Sequence, residues 1–182
     1  MPVGGVVDIV TTPGQGIAAI DQYASTVIAK SNEYGLSPGD YSAAQTLGAP
    51  NVFVYGDNRN AWTISSQNSG THFLTLGFAT PVFADGVTVR ETLSNGFVTQ
   101  IDVVDMNDVL HTVWTGVDAS LPGTIADFRI NFARTNFLVK GVKVYVDTNR
   151  DGGYEEIDAV SLHGLDPTQL HNFGVQTVIV GQ

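Results

Sequence analysis

Apolar and polar residues alternate in many short segments of this chain, and this period of two constrains its fold most. Val142, Val144 and Val146, for example, alternate with Lys143 and Tyr145. Successive side chains of a β-strand point to opposite faces, so the spacing is that of strands with one buried face. The segments are rich in Val, Thr, Ile and Phe, and they end at Gly, Pro, Asn and Asp. The predicted strands are 16–20, 26–31, 72–78, 86–92, 97–105, 109–115, 127–132, 138–147, 155–162 and 176–180.

The spacing of these segments indicates how the strands are connected. Strands that recur about every 8–12 residues, with turns between them, are typical of antiparallel sandwiches and jelly rolls. Only 17–30 competes as a helix, because it is rich in Ala, but its β-branched centre favours a strand. We therefore predict an all-β protein with an antiparallel β-sandwich of the jelly-roll type. The 182 residues are expected to form a single domain, with a core at 16–164 and an extension at each end.

The charge of the chain limits its partners. Eighteen acidic residues face eight Lys and Arg, which gives a net charge of −10. Binding to nucleic acid or to an anionic membrane needs clustered bases, so neither is expected as a partner. No apolar stretch approaches the roughly 18 residues of a membrane-spanning helix. The chain has no cysteine, and its first residues show no signal-peptide pattern.

One long irregular region, 32–61, separates the second predicted strand from Trp62. A loop of this length inside a compact domain is usually functional or disordered, and its aromatic residues favour an ordered structure. It is rich in aromatic and polar side chains, which are the groups that stack on sugar rings and bind their hydroxyls. The alternative is that the tyrosines only pin the loop to the sandwich. The predicted ligand-binding residues are Tyr34, Tyr41, Tyr55, Asn58 and Arg59.

The segment 147–158, D-T-N-R-D-G-G-Y-E-E-I-D, carries oxygen-bearing side chains at spaced positions. Calcium takes six to eight oxygen ligands, so Asp147, Asn149 and Asp151 form a candidate calcium loop. The spacing matches several positions of the calcium loop that lies between two helices, but here both flanks are predicted strands. An acidic hairpin turn without metal is therefore the alternative.

Sequence motifs of catalysis are missing. There is no G-x-S-x-G elbow and no phosphate-binding P-loop. Glycosidases use two facing carboxylates, yet no pair stands out among the acids, so we expect no enzymatic activity. The neighbouring Arg90 and Glu91 are expected to form an internal ion pair.

Four motifs together resemble a known family. They are A-x-x-x-G-A-P-N at 44–51, G-D-x-x-x-A-W at 56–62, V-T-V-R-E-T at 87–92 and E-I-D-A-V at 156–160. They resemble the discoidin-like, galactose-binding-like jelly-roll domains of large secreted bacterial proteins. The likeness covers 22–164.

The resemblance implies a two-sheet sandwich with one structural calcium ion. In related domains the ion lies between the long loop and a carboxylate near the last strand. The threonine oxygen of the usual D-G-N-x-x-T-x-W pattern is missing here. The matching candidate ligands are Asp57, Asn51, Asn60, Glu156 and Asp158.

The function that the resemblance implies is that of a noncatalytic, calcium-stabilised carbohydrate-binding or adhesion module. Such a module belongs to an extracellular or cell-surface bacterial protein, as a monomer or as part of a larger multidomain chain. Its expected partner is a glycan or a protein. The alternative is a protein-binding, peptide-binding or spacer domain without affinity for sugars, and a carbohydrate-active enzyme is the least favoured reading.

Overall fold

The computed structural model describes residues 19–150 and 152–167. The predicted strand at 176–180, the start of the one at 16–20, and Asp151 lie outside these residues. The all-β prediction is confirmed, because the described part of the chain contains eight strands and one short 3₁₀ helix, Ala43–Thr46. The strands are β1 Ala19–Tyr23, β2 Thr26–Lys30, β3 Thr71–Leu93, β4 Val98–Asp105, β5 Leu110–Thr115, β6 Ala126–Asn131, β7 Val139–Asp147 and β8 Glu156–Leu165.

The strands form two antiparallel layers that share β3. The first part of β3 lies between β2 and β7, and β4 and β5 continue this five-stranded sheet in the order β2-β3-β7-β4-β5. The second part lies between β8 and β6 in a four-stranded sheet with the order β1-β8-β3-β6. The prediction of separate strands at 72–78 and 86–92 was wrong. The chain continues as one strand, and a shift in its register with β7 between Gly77 and Val82 marks its passage from one sheet to the other.

The core lies between the two sheets. Each sheet contributes alternate residues of its central strands, as the period of two predicts. Burying an aliphatic side chain stabilises the fold by about 1.5–3 kcal/mol. The central contributors, all fully buried, are Leu74, Leu76, Val142 and Val144 from the five-stranded sheet and Val87, Val89, Val160 and Leu162 from the four-stranded sheet.

Trp62 joins the long loop to this core. Its side chain is buried, and its main chain forms an isolated bridge with Ile157 of β8. The Trp62 N–H donates to the Ile157 carbonyl at 2.8 Å, and the Ile157 N–H donates back at 3.0 Å. The end of the long loop is therefore held directly on the last described strand.

The expected ion pair between Arg90 and Glu91 is not formed. Successive residues of a strand point to opposite faces, so Glu91 faces the interior and Arg90 the outer surface. Arg90 pairs instead with Asp127 at 2.9 Å and Asp158 at 3.4 Å, and Glu91 accepts the Gly96 N–H at 2.8 Å.

In the described residues no helix is long and apolar enough to cross a membrane.

Candidate functional site

A cleft of about 270 Å³ opens beside the long loop, and we call it the tyrosine cleft. Tyr34 is its central ring, packed edge-to-face on Tyr41 at 5.5 Å and on Tyr154 at 5.6 Å between ring centroids. Tyr34 and Tyr41 come from the long loop, whereas Tyr154 comes from the turn before β8. The lining residues are Tyr34, Tyr41, Asp57, Thr63, Gln67, Leu93, Tyr154 and Glu156.

Tyr41 is fixed at an unusual backbone conformation. Its φ of 58° lies in the left-handed region, which is costly for an aromatic residue and persists where the surroundings enforce it. Its N–H donates to the Arg59 carbonyl at 2.8 Å, and its hydroxyl donates to Asp57 Oδ1 at 2.8 Å. The hydrogen bond to Asp57 is the main cause that raises the pKa of the Tyr41 hydroxyl to about 12. The ring is therefore held in place with its hydroxyl on Asp57.

Glu156 lies at the base of the cleft, next to Asp57. Its two carboxyl oxygens accept the Asn58 main-chain N–H at 3.2 and 3.1 Å, and Oε2 accepts the Thr92 hydroxyl at 3.4 Å. Burial and, to a smaller extent, the negative charge of Asp57 raise the pKa of Glu156 to about 8. At pH 7 Glu156 is thus mainly protonated.

Asp158, two positions further along β8, binds main-chain groups of the long loop. Its fully buried carboxylate accepts the N–H groups of Asn51 and Val52, each at 3.1 Å from Oδ2, and pairs with Arg90. Burial raises the pKa of Asp158, while the two N–H donors and Arg90 act in the opposite direction. Glu156 and Asp158 therefore anchor two points of the long loop to one strand.

The predicted calcium ligands do not all come together. Asp57 and Glu156 are neighbours in the tyrosine cleft, but Asp158 is already occupied by N–H and guanidinium donors, which a cation would have to displace. Asn51 meets Asp158 through its main chain, and the Asn60 N–H donates to the Asn58 side chain at 3.0 Å. Within 19–150 and 152–167, no group of three His, Cys, Asp or Glu side chains is placed to hold a metal. Calcium binding stays a prediction.

The second calcium candidate, at the β7–β8 turn, is only partly described. Asp147 accepts the Asn149 N–H at 3.1 Å, which is a local turn interaction. Asp151 lies outside the described residues, so this site also stays a prediction.

Of the predicted ligand-binding residues, only Tyr34 and Tyr41 line the cleft. The Tyr55 hydroxyl accepts the Ser94 N–H at 3.0 Å, which ties the loop to the end of β3. Asn58 binds Glu156 through its N–H, and Arg59 forms an exposed ion pair with Asp40 at 3.3 Å.

Four of the cleft residues were not predicted from the sequence. Tyr154 carried a usable signal, because it lies two residues before Glu156, the carboxyl that the resemblance had already paired with the long loop. Thr63, Gln67 and Leu93 follow no motif, and only the folded chain brings them to the cleft.

Solved structures of low sequence identity share this fold. The family 32 carbohydrate-binding module of C. perfringens NanJ, in complex with galactose, is 15% identical, has a TM-score of 0.55, and the match covers 79% of this chain and 99% of that one. The family 32 module from Streptococcus pneumoniae EndoD is 10% identical, with a TM-score of 0.55 and coverage of 76% and 94%. The XRCC1 N-terminal domain, a single-strand break repair protein, is 8% identical, with a TM-score of 0.57 and coverage of 79% and 99%. The expected discoidin-like, galactose-binding-like jelly roll is thereby confirmed.

A further match belongs to a longer protein. Truncated AlyQ, with CBM32 and alginate lyase domains, is 12% identical and has a TM-score of 0.55. The match covers 82% of this chain and 34% of that one, so the chain spans about a third of its length. No curated protein matches the chain by sequence. Residues 16–171, which are more than half of the chain, match the family described as "Pappalysin-1, SD scarf domain, C-terminal". The chain therefore belongs to that family.

Proposed function

We propose that the chain is a noncatalytic carbohydrate-binding module and that its glycan lies in the tyrosine cleft. The observation that carries the proposal is the three-ring wall of Tyr34, Tyr41 and Tyr154 beside polar side chains. The apolar face of a sugar stacks on aromatic rings, and its hydroxyls bind carboxyl and amide groups such as those of Asp57 and Gln67. A volume of about 270 Å³ suits a ligand of one sugar residue.

The cleft is held in shape by the chain itself. Tyr41 is fixed by Asp57, and the loop is anchored by Glu156 and Asp158. Side chains that are ordered before the ligand arrives lose less entropy on binding. This rigidity favours specific recognition of a small polar ligand.

The arrangement of the carboxyls favours binding over hydrolysis. Glycosidases keep their two carboxyl groups about 5–9.5 Å apart, so that the sugar or a water molecule fits between them. Asp57 accepts from the Tyr41 hydroxyl and Glu156 from the Asn58 N–H, so both carboxyls already hold the protein's own donors. The proposal is therefore one of binding without catalysis.

Calcium enters the proposal as a structural ion. Asp57 and Glu156 are the two predicted ligands that are neighbours, and a bound cation would favour the charged form of Glu156 and displace its proton. Bound there, the ion would supply positive charge that holds the long loop on β8.

The resemblance to domains of secreted bacterial proteins is the basis for proposing a role outside the cell and in adhesion, and a place in a larger multidomain chain. The carbohydrate-binding modules of NanJ and EndoD, which share the fold, support the choice of a glycan.

The test is a glycan array followed by calorimetry with the glycan that binds most strongly. Tyr34→Ala should weaken binding by about tenfold or more, since an aromatic contact is lost. Phe53→Ala is the matched control, because Phe53 is an exposed ring of the same loop outside the cleft. The proposal fails if no glycan binds, or if the two variants weaken binding equally.

A further inference from the structure

A second groove, of about 330 Å³, lies on the outer face of the four-stranded sheet. We call it the sheet groove. It shares no lining residue with the tyrosine cleft. Its lining residues are Tyr23, Pro50, Thr88, Arg90, Asp127, Arg129, Ala159, Ser161 and His163.

The register of the strands explains why a groove forms here. One row of paired residues runs across all four strands: Tyr23 of β1, Ser161 of β8, Thr88 of β3 and Arg129 of β6. The two central strands contribute small hydroxyl side chains, and the two outer strands contribute long ones. The short side chains form the floor and the long ones form the walls.

The next row places a buried histidine at the end of this floor. His163 pairs with Asp21 of β1 on one side and with Gly86 of β3 on the other. A Cβ at Gly86 would lie 3.2 Å from Asn131 Oδ1 and from the Ile130 carbonyl, so the glycine lets β3 pack closely on β6 beside the His163 ring. His163 is 6% exposed, and its Nδ1 contacts the Asp21 carboxylate.

The other ring nitrogen of His163, Nε2, has more hydrogen-bond donors around it than it has lone pairs to accept them. Nε2 lies 2.8 Å from Thr88 Oγ1, 3.2 Å from Ser161 Oγ and 3.4 Å from Arg129 Nη1. A guanidinium can only donate, so its contact favours the tautomer in which Nδ1 carries the proton and faces Asp21. Nε2 then has one lone pair for three donors. Two of the three donors retain capacity for an acceptor supplied by a ligand.

Arg129 is the cationic donor of the groove whose charge is not neutralised. Its Nε donates to Asn131 Oδ1 at 3.0 Å, but none of the ion pairs among residues 19–150 and 152–167 includes it. Arg90, by contrast, is paired with Asp127 and Asp158. Of the two arginines that line the groove, Arg129 is thus the one without an ion pair among the described residues.

We propose that the sheet groove binds a sugar that bears an oxyanion, either a carboxylate or a sulfate. The oxyanion lies on the Arg129 guanidinium and accepts from the Ser161 hydroxyl, because a planar guanidinium pairs with oxyanions through two parallel hydrogen bonds. The Tyr23 ring provides an apolar wall for the sugar, and the Asp127 carboxylate accepts from its hydroxyls. This site is independent of the tyrosine cleft and of the glycan proposed there.

The experiment is calorimetric titration of the whole chain with three trisaccharides of equal length. These are trigalacturonate, a sulfated galactotriose and neutral galactotriose. At least one acidic sugar should bind about tenfold more tightly than the neutral one, and the one that does identifies the oxyanion. If both acidic sugars bind no more tightly than the neutral one, the proposal is overturned.

Variants place the bound sugar. Arg129→Gln should weaken binding of the acidic sugar by about tenfold, whereas Arg134→Gln should leave it unchanged. Arg134 pairs with Asp85 and does not line the groove. Both substitutions remove one positive charge, so Arg134→Gln controls for the change in net charge. Tyr34→Ala should also leave this binding unchanged. Equal losses in both arginine variants, or a loss in Tyr34→Ala but not in Arg129→Gln, would overturn the assignment to the sheet groove.

Discussion

The Asp158 carboxylate accepts the Val52 N–H at 3.1 Å across 106 positions of sequence. Asn51 donates to the same group, and Arg90 lies 3.4 Å from it. The loop that carries the tyrosine cleft is thus joined to β8 through one buried side chain. This contact therefore helps to hold the loop in the position that forms the cleft.

Asp158→Ala should destabilise the fold by about 3 kcal/mol, because it leaves the buried Val52 N–H, the partly buried Asn51 N–H and a partly buried arginine without their acceptor. Asp127→Ala is the control, since Asp127 pairs with the same arginine from an exposed position. An exposed ion pair contributes about 0–1 kcal/mol. Urea unfolding of both variants measures the difference. Similar losses in the two variants would contradict the role assigned to Asp158.

The buried Glu91 should make stability fall as pH rises. Burial, together with the hydrogen bond to Asp118 and its charge, raises the pKa of Glu91 from 4.5 to about 9. Between these values the folded chain holds a proton that the unfolded chain releases. The contribution of this proton to the free energy of unfolding is fully present below pH 4.5 and is lost as pH rises to about 9. Between these values the free energy of unfolding falls by about 1.4 kcal/mol per pH unit.

Glu91→Gln tests this slope. An amide can donate to Asp118 and accept the Gly96 N–H without any proton to lose. We expect the free energy of unfolding of the variant to depend less on pH than that of the parent between pH 5 and 9. The variant should also be more stable than the parent at pH 8. Parallel pH profiles from urea unfolding would show that Glu91 is not protonated in the fold.

The sequence predicted most strands, because their period of two is a local property. It predicted two strands at 72–78 and 86–92, whereas the folded chain forms the single strand β3, which passes from one sheet to the other. Tyr34 and Tyr41 were found through the length and composition of their loop. The sheet groove was not, because the pairing register of distant strands brings its members together. Tyr154 was missed although it lies two residues before Glu156. The ion-pair partner of Arg90 was predicted wrongly, because the partner depends on which face of the strand Arg90 occupies.

Calcium should raise the melting temperature if Asp57 and Glu156 hold the ion. A ligand that binds only the folded state stabilises by about 2.7 kcal/mol at a concentration 100 times its Kd. Thermal unfolding with excess calcium and with chelator measures the shift, and Asp57→Asn should abolish it. Asp147→Asn is the matched control at the β7–β8 turn. A melting temperature that is equal with calcium and with chelator would exclude the ion, and a shift lost only in Asp147→Asn would move it to the turn.

Tyr41→Phe separates the ring of Tyr41 from its hydroxyl. The ring packing on Tyr34 is retained, while the hydrogen bond to Asp57 is lost, so stability should fall by only about 1 kcal/mol. The proposed glycan should bind several-fold more weakly, because the strained Tyr41 backbone then lacks the bond that fixes its side chain. The absorbance titration offers an independent readout. The late-ionising tyrosine, whose pKa is raised to about 12 in the parent, should be missing from the variant. If that late ionisation persists in Tyr41→Phe, the hydroxyl on Asp57 belongs to another residue and the cleft is arranged differently.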